Sequence, residues 1–338
     1  MNDLTPKFPT IPFKDKLVFP EGEMAQVQGG WAFGATEQQK GSNVLDYYTR
    51  YVAVGGSIQD AIDELNAIGG GTVYLIAGTH TLTQTLTGYS KVSIVGAGRD
   101  QTIIECGGSA YGISYVGTSG TQKTNFALKD FTIQNSNNAA GVDIQFCNYW
   151  TAENIRITSC DQKGLRVRDC IEFLVRSCRS DTNTGNGFEF LSTSSGSSPE
   201  MENFSVEICI AYQNGGQGFR FEDSQSTGSS TLNQFTVIGC IAQENDNDGF
   251  AFDRNAISAF EAKFIGCQSE LNGFGPGLAS TTSARGFYFE TQVNEVSFIN
   301  CAADTNFDEG FRWNGSVNLI GCSSVVSGDD EYHDDTTN

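Results

Sequence analysis

DNDGFAFDR, residues 246–254, holds a short phrase that the chain keeps rewriting: a glycine, then two aromatic residues separated by one polar or small residue. Aligned on that glycine, seven copies follow one another at Gly141 (GVDI), Gly164 (GLRV), Gly187 (GFEF), Gly218 (GFRF), Gly249 (GFAF), Gly286 (GFYF) and Gly310 (GFRW). Their spacings are 23, 23, 31, 31, 37 and 24 residues. After each glycine comes a second phrase: RITSC, VRSC, VEICIA, VIGCIA, FIGCQS, FINCAA and LIGCSS. These align Cys160, Cys178, Cys209, Cys240, Cys267, Cys301 and Cys322. A polar turn rich in Asn, Asp and Gly leads to the next copy.

Each unit therefore contains short segments of period-two alternation bounded by turn residues, and no convincing helix. One such unit cannot bury its apolar side alone, so successive units must stack. Fixed strand positions with variable spacing put the insertions in loops. The pattern predicts an all-β fold, a single-stranded parallel β-helix with like residues stacked about 4.8 Å apart. Crossover handedness makes it right-handed.

Alternation assigns the faces. The residues at glycine +1 and +3 are the apolar ones, so Phe188/Phe190, Phe219/Phe221, Phe250/Phe252, Phe287/Phe289 and Phe311/Trp313 are expected inside, continued by Leu165/Val167 and Val142/Ile144. The aligned cysteines form another inward column, with small residues two positions on. No CxxC pair occurs among the ten cysteines, which removes zinc-ribbon and thioredoxin readings, and buried thiols are expected.

The ends of a solenoid need covers. SIQDAIDELNAIG, residues 57–69, reads as an amphipathic capping helix: Ser57 and Asp60 resemble a capping box, Ile58, Ala61, Ile62, Leu65 and Ile68 share a face, and Gly69 ends it. The expected organisation is an irregular arm or attachment segment over 1–56, the solenoid over 57–325 and an acidic tail over 326–338. No run approaches 18 apolar residues, and the start has no signal-peptide pattern, so neither membrane insertion nor signal-directed export is expected. A net charge of −20 argues against nucleic-acid partners.

The outward positions, +2 and +4, read coil by coil Asp143/Gln145, Arg166/Arg168, Glu189/Leu191, Arg220/Glu222, Ala251/Asp253, Tyr288/Glu290 and Arg312/Asn314. Glu222, Asp253 and Glu290 fall at one position in three consecutive coils, with Glu189 diagonal to Glu222. Neighbouring carboxyls about 5–5.5 Å apart suit glycoside hydrolysis with retention, and wider pairs suit inversion. Stacked acids also raise one another's pKa. These four are the candidate catalytic residues. Arg166, Arg168, Arg220, Tyr288 and Arg312 are candidate sugar contacts. The plain alternative is a solvated ladder in which Arg220, Arg254 and Arg312 neutralise the acids. Insertions at 192–201, 224–232 and 272–285 are expected to wall the same groove. ENDNDG (244–249) partly matches the start of a calcium loop, but its distant glutamate and flanking helices are missing. Turn chemistry accounts for the Asn and Asp there, so no cofactor is expected and Ca²⁺ is the one candidate ion.

GGGTVYLIAGTHTLTQTL followed by VSIVGAGRDQTII, together with the later repeats, resembles the pectate-lyase-like β-helix superfamily of lyases, uronan epimerases, polygalacturonases and phage tailspikes. The likeness covers about residues 55–325 and implies the same fold. Epimerases of this kind carry a Gly-Phe-Asp-Pro-His phrase that none of the seven copies contains, and the two histidines, His80 and His333, lie elsewhere. The phage members are the nearer likeness. They imply a homotrimeric tailspike or fibre-like virion protein, located on the particle or released by lysis, that binds a surface polysaccharide and acts as a depolymerase if the acids are catalytic. Residues 1–56 would then meet other virion proteins. A free hydrolase or lyase, and a noncatalytic decoration protein, are the alternatives.

Overall fold

The computed structural model describes residues 48–107, 112–193, 201–223, 232–254, 261–274, 283–325 and 332–334, and the backbone of short strands between 18 and 32. The chain divides into two compact units, Met1–Arg50 and Tyr51–Asn338. In the first, Val18–Phe19 pairs antiparallel with Gly22–Glu23, and Ala25–Val27 with Gly30–Ala32, which adds two hairpins to a segment expected to be irregular.

The second unit is a solenoid. Each coil carries three strands, as in Phe188–Ser192, Met201–Glu207 and Ile210–Tyr212. Every strand pairs in parallel with its counterparts in the coils before and after. First and second strands run through one long sheet, and the third strands make a separate ten-stranded one. The helix spans Ile58–Ala67, with the Ser57 side chain accepting from the Asp60 N–H, and it buries Ile58, Ala61, Ile62 and Leu65. Its apolar face covers the first coil. Gly69, at φ 97°, turns the chain out of the helix in a conformation that costs other residues more.

The interior is built from columns. Phe188, Phe219, Phe250, Phe287 and Phe311 stack face to face at 4.7–4.9 Å, which is the strand spacing itself. Trp150, Phe173, Phe204 and Phe235 make a second stack at 4.6–4.8 Å. These rings are core, as alternation requires. Why glycine opens each first strand is now clear: a Cβ at Gly249 would run into the Ser269 hydroxyl and the Gly286 carbonyl of the next coil.

The cysteine column differs from its sequence alignment by one member. Arg156 pairs with Arg179, so Ile155 and not Cys160 precedes Cys178. Cys160 sits five residues further, level with Asn183, whose side-chain oxygen accepts its N–H at 2.9 Å. From there a ladder of buried amides runs through the turns. Asn183 donates to Asn214, Asn214 to Asn245, Asn245 to Asn272 and Asn272 to Asn306, at 2.9–3.0 Å. Each of these side-chain oxygens also takes the backbone N–H of the preceding rung. Buried turn groups that would otherwise lack partners are thereby satisfied. All ten cysteines are free thiols, and nine are buried.

Candidate functional site

The first strands hold the outward acids in the expected register over four coils. Arg166 pairs with Glu189, Glu189 with Arg220, and Glu222 with Asp253. Toward the next coil the register holds as far as Phe252 opposite Phe289, one residue before Asp253 and Glu290. Against the following strand, Phe311–Ile320, the strand Phe287–Ile299 shifts register after Phe289, so Asn314 lies opposite Gln292 and not Glu290. The Glu290 and Arg254 side chains lie outside the described residues. So do the central parts of all three insertions, residues 194–200, 224–231 and 275–282, and the tail histidine's side chain.

Arg220 organises what remains. Its guanidinium bonds Asp253 through Nε at 2.8 Å and Glu222 through Nη2 at 2.9 Å, and it reaches Glu189 at 3.5 Å. Glu222 and Asp253 keep 18% and 21% of their side-chain surface exposed, and so remain open to a ligand. Glu189 does not: at 1% exposure it lies beneath the surface, accepting from the Asn186 amide at 2.8 Å with Lys163 at 3.5 Å. It supports the site from behind and cannot line a groove. Burial pushes the Glu222 carboxyl above its ordinary range. Arg220 opposes that push, and the Asp253 and Glu189 charges add to it.

The other arginines are engaged within the protein. Arg166 and Arg168 both bond the buried Asp143 at 2.9 Å, a closed cluster that holds two coils together. Arg312 bonds Glu309 at 3.0 Å, and Arg285 stacks 3.9 Å above the Tyr288 ring. The solvated ladder of acids and arginines is thus partly realised, with more burial than a surface ladder has.

A further column lies one residue before the glycines from Gly164 onward: Lys163, Asn186, Gln217, Asp248, Arg285 and Glu309. Turn residues show no alternation, so strand periodicity does not find them. Recurrence at glycine −1 is the signal that does. Asp248 is 5% exposed and accepts the Arg285 N–H at 2.8 Å. Burial raises its pKa to about 7, against the Arg285 N–H and charge, with the Asp253 charge adding to the rise and the Gln217 side chain opposing it. Glu309 goes the other way. Burial works against its charge, but hydrogen bonds with Asp308 and Arg285, and the charges of Arg285 and Arg312, hold it below the usual range.

Of the two histidines, His80 is buried and its Nε2 lies 2.9 Å from the Ile76 carbonyl, far in sequence from the acidic rungs. Among the described residues no group of three or more His, Cys, Asp or Glu side chains is arranged to hold a metal ion, and residues 244–249 form a turn whose Asn245 belongs to the internal ladder.

Parallel coils, a helical cap and columns of like residues define a β-solenoid, and the chain belongs to the right-handed β-helix region family, matched over residues 85–267. Among solved structures it is similar to a protein of Geobacillus virus E2, ORF18, at 16% identity and TM-score 0.55, covering 86% of this chain and 61% of that one. The chain therefore spans about three fifths of the virus protein. It is also similar to the A-module of the Azotobacter vinelandii mannuronan C-5 epimerase AlgE4 (16% identity, TM-score 0.48, 82% and 92% covered). A third likeness is to the pectate lyase Pel9A (17% identity, TM-score 0.45, 76% and 79% covered). No curated protein matches in sequence.

Proposed function

We propose that the protein is a phage-type tailspike or fibre-like β-helix that binds a surface polysaccharide across the first-strand face and hydrolyses it. The observation that carries this reading is the pair Glu222 and Asp253, side by side on adjacent rungs and both open to solvent. Adjacent rungs put their backbones about 4.8 Å apart, close to the 5–5.5 Å carboxyl spacing of retaining hydrolysis. Their roles divide by environment. Glu222, pushed up by burial and by its acidic neighbours, protonates the glycosidic oxygen as the bond to the anomeric carbon breaks. Asp253, ion-paired with Arg220 Nε, attacks that carbon from the other side. Water then displaces Asp253, giving its proton to Glu222. Tyr288 and Arg312, on the next rungs, extend the face for further sugar units. The virion setting draws on the kinship in fold with the Geobacillus virus protein, and residues 1–56 serve in it as the attachment arm.

One observation favours a second reading, binding without turnover: Arg220 bonds both acids at once, which suits a fixed platform for sugar hydroxyls. A single experiment separates the two. The protein is incubated with mannuronan, polygalacturonate, α-1,3-glucan and bacterial capsular polysaccharides, and reducing ends, unsaturated products and bound polymer are measured. Hydrolysis is expected to yield reducing ends without unsaturation. Glu222→Gln and Asp253→Asn are each expected to lower the rate by about 10²-fold or more while leaving binding in place. Reducing ends released equally by both variants would remove the assigned pair, and binding without products would establish the platform.

A further inference from the structure

Among the described side chains, six cations stand on the first strands or one residue before their glycines: Lys163, Arg166, Arg168, Arg220, Arg285 and Arg312. Each faces a buried acid. Arg166 and Arg168 meet at Asp143, Lys163 and Arg220 at Glu189, and Arg285 and Arg312 at Glu309. Asp143, Glu189 and Glu309 are 2%, 1% and 6% exposed. A cation that turned outward to a ligand would leave its carboxylate buried with less compensation, which costs more than an exposed ion pair returns. The cations are therefore committed to the protein.

The carboxylates that solvent can reach are in surplus. Glu222 and Asp253 share the Arg220 guanidinium with Glu189, so three acids surround one arginine. A uronan, with a carboxylate on every sugar, would bring like charge to this pair, where the nearby cations are already taken. We propose that the polysaccharide bound by this face is neutral, built from sugars without carboxylate, sulfate or phosphate groups. The inference rests on the first-strand face being a glycan site, and it adds the class of glycan.

The same arrangement suits hydroxyls. A guanidinium tied to an acid through some of its N–H groups keeps others to donate, and the part-buried Glu222 and Asp253 keep lone pairs to accept. A sugar hydroxyl both donates and accepts, so it uses these groups without drawing any ion pair apart. Charge at longer range acts in the same sense, because a chain of net charge −20 repels a polyanion before contact. A groove on the second strands has a similar character. Tyr149, Asn203, Thr151 and Ser205 help to line its volume of about 590 Å³, and its one charged side chain, Glu172, is an acid.

The test sets each acidic polymer against its own neutral form. Polygalacturonate and mannuronan, the same two polymers with their carboxyls reduced to primary alcohols, and α-1,3-glucan are offered to the full chain at low and high salt, with and without Ca²⁺. At low salt the neutral member of a pair is expected to bind at least ~10-fold more tightly than its acidic parent. Asp143→Asn removes the carboxylate that Arg166 and Arg168 share and should raise affinity for polygalacturonate about 10-fold, a gain that high salt erases. Glu309→Gln should do the same through Arg312, whose side chain is 29% exposed, and keeps the test decisive if Asp143→Asn disturbs folding. Equal or tighter binding of the acidic member, with or without Ca²⁺, overturns the inference and leaves the glycan site standing, as does a gain in neither variant. A wild type that binds none of these polymers removes the site, and the inference with it.

Discussion

Replacing Asp248 by asparagine tests the electrostatics of the turn column, and its size follows from the structure. In the unfolded chain this carboxyl titrates near 3.8, whereas in the native state burial raises it to about 7. A raised carboxyl stabilises the fold while both states hold the proton, and that contribution is lost as pH rises through the native value. Between pH 5 and pH 7 the unfolded chain has already released this proton and the native chain has not. Two pH units at about 1.4 kcal/mol each give a loss of ~3 kcal/mol. Asparagine mimics the protonated acid: its oxygen still accepts the Arg285 N–H, the Gln217 amide can turn to meet it, and Arg285 keeps Glu309 at 2.8 Å. Urea unfolding of wild type and Asp248→Asn at half-unit pH steps isolates the effect, because all other titrations cancel in the difference. The variant should match the wild type near pH 3, below the unfolded-chain value, and gain ~3 kcal/mol on it between pH 5 and pH 7. A difference that stays constant from pH 5 to pH 8 would refute the reasoning, as would a variant that becomes relatively weaker with rising pH.

Arg220→Met removes the cation that two partly exposed acids and the buried Glu189 share, and should cost about 3–5 kcal/mol in unfolding free energy, because the Glu189 charge is then met only by Lys163 at 3.5 Å and the neutral Asn186 amide. In the same variant the Glu222 pKa should rise further, since Arg220 holds it down, and a carbon-detected carboxyl titration reads this directly. Asn245→Ala breaks the amide ladder at its centre, leaving the Asn214 N–H and side-chain amide without their acceptor. A loss of about 2–4 kcal/mol is expected by urea unfolding, with faster amide exchange in the two flanking turns. Phe219→Leu interrupts a stack at 4.8–4.9 Å and should cost about 1–3 kcal/mol, a smaller loss than the ladder break when both are read from the same denaturation curves.

The fold was legible because one rule, glycine followed by two apolar residues at alternate positions, survives in seven copies and carries register with it. Glu222 opposite Asp253 follows from counting residues after glycine. What counting could not supply was depth. Glu189 occupies an outward position, yet Lys163, Asn186 and Arg220 close over it, and side chains of that length reach across rungs in ways that no alternation encodes. Cys160 falls outside the cysteine column because RITSC and VRSC look alike while differing in where their third strand begins. The amide ladder had a signal that turn chemistry masked. From Cys178 to Cys301, each cysteine of the column is followed five residues later by the asparagine that continues the ladder. Asparagine in turns is common enough that its recurrence at a fixed distance passed for composition.

The ladder and the stacks share one property that reaches beyond stability. Each rung gives its neighbour above the same bonds that it receives from below, so the contact between rungs hardly depends on which rung is involved. A 23-residue coil such as residues 164–186 is in effect a spare part. Duplicating or excising it would leave matching surfaces to rejoin while moving every outward residue beyond it by one step. A lineage built this way can redraw the pattern on its exterior by copying whole turns, without inventing a new interior each time.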